Sequence, residues 1–527
     1  MATVPEASNT IPPVGLDSVA SRLDAHAALV AVYLALCALS LLPFVLIEHP
    51  PIVDFANHAA RLSLACSAGD PVVDAMYRYN LGLIPNLAAD LVNWPLCGLM
   101  GPMAVLKATI AGSLALTYFA GWLLQRKLFG RMNAFLLLLP AFAMNLVTSM
   151  GYINFLAGVG VACLMVALAI GRERKFVELL AIGNVGGLIL FFCHIFALAL
   201  AVVLFFGILF RDMPRNAKGF VQAGLKTLLL FVVPLLLIPF VPSADEALKI
   251  DYVGKGRAVA ALFLTQQANP TIYGMLLFIP LYLAMRKGWV AVHQAMRWPL
   301  GALAFYVLVV PSGLQDAIDI DARTMIALAY LFFASLRPMH QEREITAVVG
   351  AASAALVGYA LVMTVLVWQP FSHEVSELRK SMQALPAKSL VFSVTEREAT
   401  TSTALPNAYG HLTSYATLDR RVFNPLEFTG IGMQPLRPTQ AFARFDTPAA
   451  MPFGPETALK LADPDPAFEK KIHAYNVEFA ERWPQRFDYV VYYHFGEKPN
   501  FDPARLTLIE RGSFYSILKT KRAKPAL

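Results

Sequence analysis

Charge is scarce in this chain. Of 527 residues only 15% are Asp, Glu, Lys or Arg and 57% are apolar, against ~25% and ~45–50% in an ordinary soluble domain. That balance argues against an average soluble enzyme and against a disordered chain. No glycine period of the collagen type is visible. Cysteine is sparse too: Cys37, Cys66, Cys97, Cys163 and Cys193 are the five. None follows residue 193, so the C-terminal part has no disulfide framework. Cys66 and Cys97 can pair if their loop lies outside the cell. There is no Cys/His metal spacing, no P-loop and no G-x-G-x-x-G between a strand and a helix. The net charge of +7 and pI near 9.0 fit basic cytoplasmic loops and affinity for anionic lipid, with no nucleic acid as partner.

Long apolar runs are what the chain has instead. They fall near 27–47, 103–124, 132–150, 154–171, 177–192, 195–210, 226–242, 271–285, 298–312, 324–336 and 346–369. About 20 apolar residues cross the ~30 Å hydrocarbon core, so the sequence predicts about eleven transmembrane helices. The segment 177–210 reads as one long helix or as two broken at Cys193-His194. The polar stretch 1–26 is too acidic for a signal peptide and reads as a cytoplasmic tail. With the N-terminus inside, five successive inner loops collect Lys and Arg, from Arg126 and Lys127 to Arg337 and Arg343. The turns at 150–154 and 192–195 carry none. This positive-inside bias favours two helices over 177–210.

The charges are also uneven. After Pro370 stand 37 of the 79 charged residues, about 24% of that stretch against about 11% before it. The division is a membrane domain over 27–370, with a first outer loop at 48–102, followed by a soluble extracytoplasmic domain over 371–527. That tail reads as α/β: strands at Lys388–Thr395, Phe487–His494, Leu506–Glu510 and Ser513–Lys519, a helix at Phe468–Trp483 stopped by Pro484, and long ordered loops over 400–460.

The first outer loop concentrates function-bearing residues. If 53–65 is helical, Asp54, Asn57, His58 and Arg61 recur at i, i+3, i+4 and i+7 on one face. The opposite face, with Val53, Phe55, Ala56, Ala60 and Leu64, is apolar and could lie on the bilayer. Such a stripe can hold a base beside an anion-binding cation, or be the solvated face of an interfacial helix. In outer loop 243–270, Lys255-Gly256-Arg257 could clamp an anion or contact headgroups. Gln266, Gln267 and Asn269 could line a polar cavity or cap a helix. The turn 311–325 carries Asp316, Asp319, Asp321 and Arg323. There Arg323 offers a bidentate fork and Asp321 would orient it, unless the two form a local ion pair. His194, with Tyr152 and Asn154 nearby, is either bonded within the bundle or part of a polar cluster. In the tail, His411, Tyr415, Asp419, Arg420 and Arg421 could stack on a glycan or pack against the membrane domain.

The order of these parts resembles the GT-C glycosyltransferases: an Asp just after the first span, a multispan body and an outer C-terminal domain. The stretch Pro51–Arg61, PIVDFANHAAR, is similar to a D-x-x-N-H-x-x-R element in a bacterial GT-C-like group. Pro85-Asn86, Asp90 and the stretch His411…Tyr415 have apparent counterparts there. The resemblance implies an inverting-type transfer of a hexose or pentose from a polyprenyl-phosphate-sugar lipid to a glycan or lipid acceptor. The place would be the outer face of a bacterial inner membrane, with the tail periplasmic. Asp54 with His58 would be catalytic. Asn57, Arg61, Lys255, Arg257 and Arg323 would bind substrate or phosphate, supported by His194, Asp321, Tyr152 and Asn154. A divalent metal (Mg or Mn) is a possible cofactor. The loop departs from some relatives in having no adjacent acidic pair, since Asp70 and Asp74 stand apart from Asp54. A lipid-sugar transporter and a non-catalytic glycan-binding scaffold are the alternatives. Few ionisable residues at mid-span and no internal repeat speak against the transporter.

Overall fold

The computed structural model describes residues 16–170, 175–242, 250–252, 254–263, 270–314, 317–396, 408–447, 452–474, 477–495 and 502–521. The chain is mostly helical. Four helices are long and apolar enough to cross a membrane: His26–Leu46, Pro102–Phe129, Phe176–Cys193 and Glu342–Met382. The pair Ala217–Leu230 and Val232–Phe240 makes a fifth if its 70° bend is one broken span. Helices Ile153–Ala169, Ile195–Phe210, Pro270–Arg286, Arg297–Val309 and Ile320–Ala334 fall on the remaining apolar runs but are shorter. Leu34, Val45, Phe119, Val185, Phe220 and Leu366 stay exposed on the helices. Large apolar side chains tolerate that position where lipid, not water, is the solvent.

Two runs show how local chemistry shapes the bundle. Residues 132–150, expected as a span, are not one α-helix. They form a 3-10 segment, Ala134–Phe142, containing Pro140, then a short helix, Leu146–Met150. Pro140 lacks an N–H, and Asn133 and Asn145 start new turns by accepting from Phe135 and Thr148. The segment 177–210 is two helices. His194 is extended between them, and its Nδ1 accepts from Phe196 N at 3.2 Å. That side-chain cap replaces the backbone bond the break removes.

The expected domain boundary at Pro370 falls inside a 41-residue helix, Glu342–Met382. Its last turns bury Phe371, Val375, Leu378 and Met382 in the core of the C-terminal domain. That domain contains a four-stranded sheet. Strand Val391–Thr395 lies parallel to Tyr489–Tyr493, followed by Tyr515–Thr520 and edge strand Leu506–Arg511, both antiparallel to their neighbours. The expected helix 468–483 is broken. Pro466–Ala474 is helical, and Pro484 lies in the first turn of a new short helix, Trp483–Arg486, where its missing N–H costs nothing.

The loop 48–102 is folded rather than open. It contains helices Phe55–Cys66, Pro71–Met76 and Ala88–Asn93 and strand Tyr77–Tyr79, which pairs with Leu436–Pro438 of the C-terminal domain. Arg421 adds an ion pair to Asp70 at 2.9 Å, and Arg379 grips Asp419 through two bonds of 2.7 and 2.8 Å. Helix Phe55–Cys66 does not lie on the bilayer as its apolar face suggested. Phe55, Ala59 and Leu62 enter the membrane-domain core, while Ala56 and Leu64 enter two cores of the C-terminal domain. With neighbours all round, both its faces are buried.

Cys66 and Cys97 form a disulfide, with Cα atoms 5.5 Å apart and a separation of 31 in sequence. Closing a loop of that length stabilises a fold by about 3–4 kcal/mol in the chain-entropy account. Cys66→Ser/Cys97→Ser is expected to lower the thermal unfolding midpoint, and reductant is expected to lower it in the wild type but not in the double variant.

Candidate active site

Asp54 sits at the N-terminus of helix Phe55–Cys66, but its side chain does not cap that helix. The backbone is pinned from the other side: Val53 N donates to Ser149 O at 3.0 Å and Asp54 N to Met150 O at 3.1 Å. Gly151 makes this approach possible. It has φ +84°, and a Cβ there would stand 2.9 Å from Asp54 Cβ and 3.0 Å from Asp54 N. The carboxylate is largely enclosed, with its side chain 16% exposed. Burial pushes its pKa up to about 7, against the opposing pull of Arg323 and Arg61.

The other polar residues of this helix have partners from distant sequence. Arg61 is fully buried. It pairs with Asp90 at 2.7 Å and also donates to Gln434, and Tyr79 donates to the second Asp90 oxygen at 2.7 Å. Its guanidinium is thus occupied on one edge, which makes it a structural cation more than a free phosphate ligand. Asn57 clamps a loop of the C-terminal domain: its Nδ2 donates to Leu426 O at 2.7 Å and its Oδ1 accepts from Phe428 N at 3.0 Å. His58 and His411 pack edge-on against Phe428, at 5.4 and 5.2 Å between ring centres. Burial and then Arg61 hold the His58 imidazole well below its usual pKa, and burial lowers His411 to about 4. Both rings are therefore neutral at pH 7. His411 Nε2 lies 3.6 Å from Asp54 Oδ1.

The mouth residues form a second group. Arg323 stacks its guanidinium 3.5 Å from the centre of the Tyr152 ring, with Nη1 3.4 Å from His194 Nε2. Its buried Nε has no partner among the described residues. Tyr152 donates to Asp319 at 3.0 Å, and Asp319 also pairs with Arg257 at 3.0 Å. Asp321 was expected to orient Arg323. It instead takes Lys255 at 2.9 Å and Ser312 at 3.1 Å, so the two basic residues of the expected clamp are each held by an acid. Asn154 stands apart from this group and fastens the chain at 86–89, donating to Asn86 O and accepting from Ala89 N. Asp316, Gln266, Gln267 and Asn269 lie outside the described residues.

The tail stretch divides. His411 reaches Asp54, Arg421 pairs with Asp70 of the first outer loop, and Tyr415, Asp419 and Arg420 contact Arg379 and Leu385. Sequence spacing gave no access to Phe428 or Gln434, which reach the helix only through folding of the tail. No group of three or more His, Cys, Asp or Glu among the described residues is arranged to hold a metal ion. The charges that act on Asp54 are those of Arg323 and Arg61, and this set does not fit Mg or Mn.

No family profile and no curated protein matches the chain. Among solved structures, ArnT from Cupriavidus metallidurans bound to undecaprenyl phosphate aligns at 13% identity and a TM-score of 0.46, over 93% of this chain and 97% of that one. The apo state of the same protein aligns at 13% identity and a TM-score of 0.45, over 94% and 98%.

Removing one partner of a buried ion pair leaves the other charge uncompensated, at a cost of about 3–5 kcal/mol. Arg61→Ala is expected to lower stability by that order in a denaturant titration. Arg61→Met/Asp90→Leu is expected to lose clearly less than the two single losses added together.

Proposed function

We propose that this chain is a membrane glycosyltransferase of the GT-C type, with a sugar on polyprenyl phosphate as donor and a cell-envelope glycan or lipid as acceptor. One observation carries the reading. The Asp54 carboxylate is largely enclosed yet 16% exposed, and burial raises its pKa to about 7 against the opposing charges of Arg323 and Arg61. Such a group binds a proton far better than an ordinary Asp, yet is substantially ionised at neutral pH.

The chemistry follows from those positions. The acceptor hydroxyl gives its proton to Asp54 as its oxygen bonds to the anomeric carbon. The bond from that carbon to the phosphate oxygen breaks on the opposite face, and the electron pair leaves with the polyprenyl phosphate. A single displacement of this kind inverts the anomeric centre. The leaving phosphate needs a cation that is not already paired with an acid. Arg323 meets that need best, since Tyr152 and His194 hold its plane without neutralising it. Lys255 and Arg257 are the further candidates, and would have to leave Asp321 and Asp319 to take part. Arg61 and Asn57 support the site by holding its walls, and His58 forms part of its neutral lining. The reading puts Asp54 at the outer face of a bacterial inner membrane, with the N-terminus cytoplasmic and the tail periplasmic. The basic inner loops support this, as does the Cys66–Cys97 disulfide, which fits an oxidising compartment.

With purified full-length protein, a polyprenyl-phosphate-linked sugar and an envelope acceptor, transfer is expected to rise with pH through about 7 and then level, because only ionised Asp54 accepts the proton. Asp54→Asn is expected to cost roughly 10²–10⁴ in rate. Full transfer by that variant would sink the reading. Arg323→Ala is expected to slow transfer more than Lys255→Ala or Arg257→Ala does.

A further inference from the structure

The Asn57 amide has only one orientation consistent with its neighbours. Phe428 N–H can only donate, so it faces Oδ1, at 3.0 Å. Leu426 O can only accept, so it faces Nδ2, at 2.7 Å. That same Nδ2 is 3.5 Å from His411 Nδ1. A donor on that side makes Nδ1 the acceptor nitrogen of the neutral ring, and the ring proton then belongs to Nε2. Nε2 is the nitrogen that points at Asp54 Oδ1, 3.6 Å away. Phe428 braces the ring edge-on. The two separations at His411 are longer than formed hydrogen bonds, as is common before a substrate closes a site.

We infer that His411 is a positioning residue for Asp54: Asn57 locks its imidazole as the Nε2–H tautomer, and that N–H orients and stabilises the Asp54 carboxylate. The inference rests on Asp54 as the base. It makes the C-terminal domain part of the catalytic unit. The oriented pair exists only when the loop 424–428 is seated on Asn57, so a base in the membrane domain is completed by a donor from the tail. The charged and titratable groups around the pair are Arg61 on the same helix as Asn57, Arg323 from helix Ile320–Ala334, Tyr152 from the neighbouring turn, and His58 beside His411. None of them supplies a donor through the tail.

Two measurements on the full-length protein in lipid nanodiscs test this. The first is the imidazole ¹⁵N spectrum, with His411 assigned by its loss in His411→Gln. The expected pattern has Nε2 protonated and Nδ1 bare, and a protonated Nδ1 overturns the inference. The second is an infrared pH titration of the Asp54 carboxyl band, assigned by its loss in Asp54→Asn. His411→Phe keeps the ring but removes the donor, and should raise the midpoint by roughly one pH unit or more. His411→Gln restores an N–H and should bring the midpoint back toward wild type. Equal midpoints in all three proteins overturn the inference. In transfer assays the rising limb should move with the same variants. A shifted infrared midpoint with no sugar transfer by any variant or by wild type would overturn the glycosyltransferase reading and leave the His411–Asp54 geometry standing.

Discussion

The first two turns of helix Phe55–Cys66 are buried on both faces, and that enclosure constrains the rest of the site. A polar group taken out of water must find a partner or lose several kcal/mol. The partners here come from across the chain. Arg61 meets Asp90 from the same loop and Gln434 from the tail, and Asn57 meets the backbone at Leu426 and Phe428. Each partner ties a different part of the protein to one short helix. The membrane bundle closes the opposite side through the backbone of Ser149 and Met150. Among the described residues Asp54 is the group that this arrangement leaves without a full partner, and desolvation makes it a stronger base.

The same logic sorts the cations. Arg61, Lys255 and Arg257 each face an acid within 3.0 Å. Arg323 has a ring face and a neutral imidazole instead. A guanidinium held by stacking keeps its charge available to an anion, whereas a paired one must first give up its partner. The low charge of the membrane domain therefore concentrates chemistry instead of excluding it. The charge-rich tail contributes His411, Phe428 and Gln434 as neighbours of Asp54, His58 and Arg61.

Much of the fold was legible because its signals are local. Apolar runs matched helices at nearly every position, the four strands of the tail's main sheet appeared where alternation put them, and the break at His194 agreed with the charge bias that favoured two helices. The misses were also local in cause. Pro140 with Asn133 and Asn145 turned an apolar run into short segments, and Pro484 opened a helix where it was expected to stop one. The periodicity of Asp54, Asn57, His58 and Arg61 located the candidate site, but it could not say that the helix was buried on both faces.

The sequence by itself determined a membrane chain with a charge-rich tail, and it marked one loop as the place to look, because hydropathy, charge bias and helical spacing are properties of neighbouring residues. Tertiary structure alone decided which of those residues are free to act. His411 is 354 positions from Asn57, and Gln434 is 373 from Arg61. Whether a carboxylate is neutralised, a guanidinium sealed or an imidazole aimed depends on such long-range partners and on the exclusion of water. Both arise only when the tail has folded onto the loop.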